Sequence, residues 1–435
     1  MIKVYLKQAW TLMRQNRLFS SIYILGTGIA IALVMTVFII YYIKMAPIYP
    51  EYNRPAMMAV KSVEMTQKTN PNSWNMDMGT SYRMVKDILP RIPHVTEATA
   101  CFPFSQEEIM ASSRGGKEEV KVSPMYADEG FWKVFSFNFL QGKPFTKAEV
   151  DASIPVVVVS DGLAKQLYAT TAVVGQELTL NGLAYRICGV VKGTSNATPN
   201  SAADVYIPLW FSDYVQDSRD AQGLYGALYV YFLVDDASNK SAVKLAVERA
   251  AEQVNREDKE YNYDLGGQPE DVFLSSYRKF DLKADLWNDI LNPVMFVLAA
   301  LLFIPAFNLS GMISSRMDDR LCELGVRKAY GATNWQLLKQ LLIENLLLTL
   351  VGCLIGLLLS YLVVYTSGDW ILTLFDRFVM HTSERAVSIS PEMLFNPLLF
   401  LVVCVICLLL NVVSAIVPAL HALRHSIIYS LNTRR

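Results

Sequence analysis

The chain has 435 residues, with 39 Lys or Arg against 40 Asp or Glu, a formal net charge of −1 and a mean hydropathy of +0.27. So even a balance gives no basic footprint for a general nucleic-acid role, and the 52% hydrophobic share averages two unlike kinds of sequence. The six cysteines make no disulfide framework: Cys353, Cys404 and Cys407 lie in long apolar runs and Cys322 in a short basic loop. Cys101 and Cys188 are the two in the long polar region, where an oxidising space could pair them, though each lies in an apolar strand-like run that favours two separate buried thiols.

Residues 1–17 open the chain with Ile2, Tyr5, Leu6, Ala9, Leu12 and Met13 on one helical side and Lys3, Lys7, Arg14 and Arg17 on another. That pattern predicts an interfacial helix, apolar face in the headgroup boundary and cations toward anionic lipid. Four apolar stretches follow, Leu18–Ile43, Ile290–Ile313, Leu341–Val364 and Leu394–Val417. Each is about 24 residues long, enough for a helix to cross a hydrocarbon core of about 30 Å. The first exceeds the apolar core of a signal peptide and lacks a small-residue cleavage site, so it reads as an uncleaved helix.

Cations in short loops set orientation. They gather ahead of the first stretch, at Arg316, Arg320, Arg327, Lys328 and Lys339 between the second and third, and at Arg424, Arg434 and Arg435 after the fourth. The loop between the third and fourth carries Arg377 and Arg385 beside four acidic residues. Both termini and the Arg316–Lys339 loop are therefore expected in the cytoplasm, with the long polar region outside. The expected organisation is a cytoplasmic helix (1–17), transmembrane helices at 18–45, 289–314, 341–366 and 393–420, an external domain (46–288) in two subdomains, a cytoplasmic loop (315–340), a short external loop (367–392) and a tail (421–435). In fold class this is an α-helical membrane protein with four transmembrane helices and a mixed α/β extracytoplasmic domain inserted between the first and second.

Within the external domain, strands are expected at Glu119–Met125, Ile154–Ser160, Ala184–Val191, Asp204–Leu209 and Ala227–Val234. Helices are expected at Ser81–Leu89, Asp161–Tyr168 and Asn239–Val254, the last with a stripe of Val243, Leu245, Ala246, Ala250 and Val254. Asp161 is the expected N-cap of its helix. Asn181-Gly182 reads as a hairpin turn, since a type I′ turn needs positive φ at both central residues. The Ser-, Thr-, Asn- and Pro-rich stretch 193–203 reads as a surface loop.

Chemistry is sparse. His94 is the domain's single histidine, which removes a multi-histidine zinc site and favours a structural or exposed role. Ser160-Asp161-Gly162 is not a nucleophile elbow, and no phosphate-binding G-x-x-x-x-G-K-[ST] occurs, Gly115-Gly116-Lys117 lacking both ends of it. No catalytic residue, resident cofactor or metal site is expected; His421 and His425 have ligand spacing but make only two ligands. Gly352, Gly356 and Ser360 form a small-residue face suited to close helix contact, within one protomer or across a dimer. Pro305 and Asn308 predict a kink, and Glu344 sits where it can pair with a loop arginine rather than relay protons.

The run from Arg316 through Glu323, Leu324, Gly325, Val326, Arg327, Lys328, Ala329, Gly331 and Ala332 resembles the signature of the FtsX-like, or MacB-type, ABC transporter permeases. The stretches FWKVFSFNFLQGKPFT and IPVVVVSDGLAKQLYATTAVVGQELTLNGLAYRICGVV are similar to that family's periplasmic core domain. The resemblance covers nearly the whole chain and lacks the fused ATPase of MacB. It implies a bacterial inner-membrane permease that pairs with a second protomer, identical or not, and couples to a separate ATPase subunit binding ATP and Mg, with ATPase-coupling residues Arg316, Arg320, Glu323, Gly325, Arg327, Lys328 and Gly331. Motion would then pass to the periplasmic domain for export or extraction, with a periplasmic adaptor and outer-membrane channel as further partners and no nucleic acid. Alternatives are an activator of a cell-wall hydrolase, a lipoprotein-releasing permease, and a membrane-anchored sensor or enzyme.

Overall fold

The computed structural model describes residues 17–70, 76–103, 109–116, 118–194, 197–276, 326–367 and 397–424, with Thr11 and parts of 292–303. The chain divides into two units, one formed by 1–42, 291–367 and 390–435, the other by 43–290 and 368–389.

In the first unit the described helices are α1 (Arg17–Met45) and, further along the chain, the helices Asn334–Ser367 and Pro397–Arg424. Ser20–Met45 and Asn334–Ser367 are each long and apolar enough to cross a membrane. On α1, Leu18, Ile22, Leu25, Ile29 and Leu33 recur at three- and four-residue steps and stay exposed, while Tyr23, Thr27, Ile31 and Met35 are buried. An exposed stripe of that length suits hydrocarbon rather than water.

The second unit is α/β. Its strands in chain order are β1 (Met57–Val60), β2 (Val63–Gln67), β3 (Met76–Met78), β4 (Val95–Phe102), β5 (Ile109–Ser113), β6 (Val120–Val122), β7 (Pro124–Ala127), β8 (Phe139–Gly142), β9 (Val156–Ser160), β10 (Glu177–Leu180), β11 (Leu183–Val191), β12 (Val205–Pro208), β13 (Tyr229–Val234), β14 (Tyr261–Asp264) and β15 (Glu270–Asp271). Twelve form one mixed sheet, ordered β15-β1-β13-β4-β7-β12-β9-β11-β10-β5-β6, with β8 also on β11; β14-β2-β3 form a second. β9 runs parallel to β11 and β12 parallel to β7. The unbroken Val156–Val159 run is buried throughout, as a strand covered on both faces requires.

Two apolar clusters lie on the large sheet. The smaller joins Val157, Val159, Leu163, Leu178, Ile187 and Ile207; the larger includes Phe131, Phe135, Tyr206, Tyr231 and Phe232. The helices α2 (Asp161–Tyr168) and α3 (Lys240–Glu257) cover parts of these, and α4 (Val272–Ser275) follows β15. The long helices Asn334–Ser367 and Pro397–Arg424 are α5 and α6.

Several local expectations change. Glu119–Met125 is two strands: β6 pairs with β5 at the sheet's edge, whereas β7 pairs with β4 and β12 near its middle. Ser81–Leu89 is no regular helix but a wide turn at Met84–Ile88 and a tight one at Leu89–Arg91, where Pro90 ends it. The N-cap of α2 is Ser160, whose hydroxyl accepts from Leu163 N–H at 3.2 Å. Asp161 is instead in the first turn, paired with Lys165 and accepting from Gly193 N–H. The buried face of α3 is Val243, Val247, Ala251 and Val254, with Leu245 exposed, because four-residue steps keep one azimuth. At the β10–β11 turn, Asn181 (φ 46°) and Gly182 (φ 84°) both take the positive φ that their residue types predict.

The largest correction concerns 193–203. Ala197, Thr198, Asn200, Ser201 and Ala202 are buried. A polar segment can lie inside only if its groups find partners, and a buried ion pair supplies them.

Candidate functional site

The segment expected to couple to an ATPase is described from Val326 onward; Arg316, Arg320, Glu323 and Gly325 lie outside the described residues, as do Pro305, Asn308, His425 and the side chains of Glu344 and His421. From Val326 the chain makes one helical turn that ends at Gly331, φ +90°. Ala332 N–H donates to Arg327 O at 3.0 Å and Gly331 N–H to Lys328 O at 2.9 Å, the paired bonds of a Schellman ending. Glycine takes that left-handed backbone without a Cβ penalty. Thr333 then caps α5: its hydroxyl accepts from Gln336 N–H (3.3 Å), and Gln336 Oε1 accepts from Thr333 N–H (3.0 Å). The Arg327 guanidinium donates to Gln340 Oε1, and Lys339 lies 5.2 Å over the Trp335 ring. Arg327 and Lys328 thus sit on a tightly built corner beside exposed Tyr330 and Trp335.

α5 meets α1 through small residues. A Cβ on Gly356 would lie 2.8 Å from both Gly28 O and Ile31 Cβ, and one on Gly352 would lie 3.0 Å from Thr27 Cβ. Gly28 reciprocates, its would-be Cβ being 3.2 Å from Ile355. Ser360 is buried, its hydroxyl donating to Leu357 O. Thr27 donates to Tyr23 O and Thr349 to Asn345 O, so these hydroxyls are satisfied inside the helix contact. Close approach of backbones replaces the hydrophobic drive that lipid withholds.

Where α1 ends, a buried polar network begins. Glu51 is fully buried and Arg54 is 7% exposed. Arg54 Nε donates to Glu51 Oε2 at 2.8 Å, while its remaining nitrogens donate to the carbonyls of Ile43 (2.6 Å), Ala46 (2.9 Å) and Ala197 (2.5 Å). Last-turn carbonyls lack intrahelical partners and carry the negative end of the helix dipole, so a guanidinium suits them. Glu51 also accepts from Ser201 Oγ (2.9 Å) and Asn200 Nδ2 (3.3 Å). Asn200 Oδ1 in turn accepts from Lys61 Nζ (2.9 Å) and Tyr231 OH (3.1 Å). Burial depresses the Lys61 ammonium to about 8, against the pull of Glu51 and Glu270.

Elsewhere in this unit, Asp128 Oδ1 accepts from Thr99 Oγ1 and Oδ2 from Ala100 N–H. Burial pushes its carboxyl up to about 7, although these hydrogen bonds pull the other way. It lines an open cleft of about 660 Å³ with Glu129, Lys147, Arg219 and the edge-on ring pair of Tyr82 and Trp210. His94 is half exposed at φ 70°, its Nδ1 2.8 Å from Asp235 Oδ2. Cys101 and Cys188 are separate free thiols. Among the described residues, no cluster of three His, Cys, Asp or Glu could hold a metal.

Comparison with known families now bears on these features. The MacB-like periplasmic core domain matches residues 20–250, and the FtsX-like permease C-terminal domain matches 295–427. The chain belongs to this permease family. It is a membrane permease component of the ABC-transporter type. An ABC transporter permease of Bacillus subtilis (strain 168), YknZ, is 24% identical over 241 residues, 55% of this chain and 56% of the relative. A macrolide export ATP-binding/permease protein, MacB, of Sodalis glossinidius is 24% identical over 283 residues, 64% of this chain and 40% of its own. The match thus spans about half or less of the length of these relatives. The periplasmic region of MacB from Actinobacillus actinomycetemcomitans aligns over 47% of the permease and 88% of its own chain, at 16% identity and a TM-score of 0.32.

Motif reading of the permease missed Glu51, Arg54, Lys61 and Asn200 altogether. The available signal was an acidic and a basic residue three apart, Glu51 and Arg54, directly after an apolar helix. Asn200 and Lys61 had no such signal, since their partners are 139 residues apart in the chain.

Proposed function

We propose that this permease spans the membrane four times, at 18–45, 289–314, 341–366 and 393–420, and transmits ATP-driven movement to the unit at 46–288. Both termini and the loop around Arg327 face the cytoplasm, and the α/β unit faces the periplasm. A separate ATPase docks on the cytoplasmic loop, and two protomers pair. The observation that carries this reading is α1 itself. One unbroken helix is seated against Gly352 and Gly356 of α5 and ends under the grip of Arg54. A helix packed at its middle and tied at its last turn suits carrying displacement.

The names of the relatives favour outward movement of cargo, one of them being a macrolide export protein. Arg327 and Lys328 offer forked and point-charge donors to acidic or carbonyl groups of the ATPase. No group in the chain is assigned to hydrolysis; ATP and Mg belong to the partner.

The test is co-purification with ATPases encoded beside this gene, followed by measurement of their ATP hydrolysis. Arg327→Glu with Lys328→Glu is expected to weaken the complex at least tenfold, the effect of placing like charges across a contact. Full retention of binding and of stimulated hydrolysis in that double variant would overturn the docking assignment. Recovery of a cell-wall hydrolase in place of any ATPase would overturn the transport reading.

A further inference from the structure

We propose that Arg54, Glu51, Asn200 and Lys61 are positioning residues that join the last turn of α1, where the chain enters the α/β unit, to α4. The proposal rests on the reading of this chain as a transmitter of movement.

The chain enters this unit at the last turn of α1, and Arg54 holds that turn by the carbonyls of Ile43 and Ala46. At the other end of the string, Lys61 Nζ donates to Ser275 O, the last residue of α4, at 3.3 Å. Between the two run Arg54–Glu51, Glu51–Asn200 and Asn200–Lys61, at 2.8, 3.3 and 2.9 Å. The string is anchored sideways as well. Tyr231 of β13 donates to Asn200, and Tyr206 of β12 donates to Ser201 O. The Lys61 ammonium sits 5.5 and 5.6 Å from the ring centres of Tyr231 and Tyr229. Its backbone N–H donates to Gln268 Oε1, while Gln268 Nε2 donates to Ser62 O, so the segment before β15 is tied to the same place.

A purely stabilising core would be better served by apolar side chains, because burying ions carries a desolvation penalty that pairing must repay. Directional bonds do what apolar packing does not: they define position along the string and fail together when one link is lost. The polar segment 197–201 is the wedge of this joint. Its carbonyl at Ala197 and side chains at Asn200 and Ser201 fill the gap between Arg54 and Lys61. The string therefore links the last turn of α1 to Ser275 through side chains. Lys61 also sits where its charge is easily lost, which sharpens the dependence of the joint on every link.

The experiment is hydrogen exchange on the full chain in lipid nanodiscs, following amides 43–46 and 272–276 in wild type, Arg54→Gln and Lys61→Met. Each variant is expected to speed exchange about tenfold at both ends, the change that losing a hydrogen bond to a charged group brings to a local opening. Arg54→Gln acting only on 43–46, with Lys61→Met acting only on 272–276, would overturn the joint. If Arg54→Gln does not fold, Ser201→Ala, which removes one bond to Glu51, takes its place under the same criterion. A second arm adds the cognate ATPase and nucleotide. Lys61→Met is expected to keep the complex and its basal hydrolysis while losing the nucleotide-dependent change in exchange at 272–276; retention of that change would also overturn the joint. Failure of any ATPase to bind wild type would remove the transport reading, leaving the joint to stand or fall on the first arm.

Discussion

At the scale of single residues, burial is what gives ordinary side chains unusual properties here. Asp128 is the clearest case, its carboxyl raised from 3.8 to about 7. A carboxyl with a raised folded-state pKa holds a proton that the unfolded chain releases. Its contribution is therefore fully present below about pH 4 and is lost as the pH rises through about 7. Denaturant titrations of wild type and Asp128→Asn across that window should show the stability difference between them shifting against wild type as the pH rises, because only wild type loses this contribution. A difference that stays constant across the window would mean that the carboxyl does not titrate as its surroundings require. Ser160 provides a second test: losing its cap to Leu163 in Ser160→Ala is expected to cost about 1 kcal/mol. At Gly331, φ +90° makes Gly331→Ala unfavourable by roughly 1 kcal/mol although open space surrounds the site, so its cost would come from backbone alone.

At the scale of elements, the contact between α1 and α5 separates glycines that matter for packing from one that does not. Gly356 has no room for a Cβ beside Gly28 O and Ile31, whereas a Cβ on Gly26 would meet nothing within 4 Å. Gly356→Ala is expected to lower stability by about 1–3 kcal/mol through overpacking. Gly26→Ala should be neutral or slightly stabilising, because alanine is the better helix former. Thermal melts of the two variants in one detergent decide this; equal melting temperatures would remove the close contact. Strands show the limit of local reading. Val120–Val122 and Pro124–Ala127 are nearly continuous in sequence, yet one pairs at the sheet's edge and the other near its middle, and the Ser123 N–H between them donates to Asp204.

At the scale of the whole molecule, orientation is the property that most needs measurement. With the α/β unit outside, protease added to intact spheroplasts should cut the exposed Gln216–Asp220 region, while the Lys328–Gly331 corner stays protected until the cells are broken. The reverse pattern would invert the topology and end the proposed transmission from cytoplasm to periplasm. The order of the family domains, core domain before permease domain, agrees with the placement of the α/β unit ahead of α5 and α6.

Sequence alone determined whatever is written locally. Hydropathy marked α1 and α5, since the apolar length needed to cross a bilayer is a property of consecutive residues. The Asn181-Gly182 turn and the helix at Asp161–Tyr168 follow from backbone preferences of single residue types. The turn at Gly331 was legible through its glycine for the same reason. Tertiary structure decided what depends on distant partners. The segment 193–203 has the composition of a surface loop, and its burial becomes tolerable through distant partners, above all the carboxylate of Glu51 and the guanidinium of Arg54. Which carbonyls an arginine reaches, and whether a lysine meets a helix 214 residues further along the chain, are matters of long-range packing. No spacing along the chain encodes them.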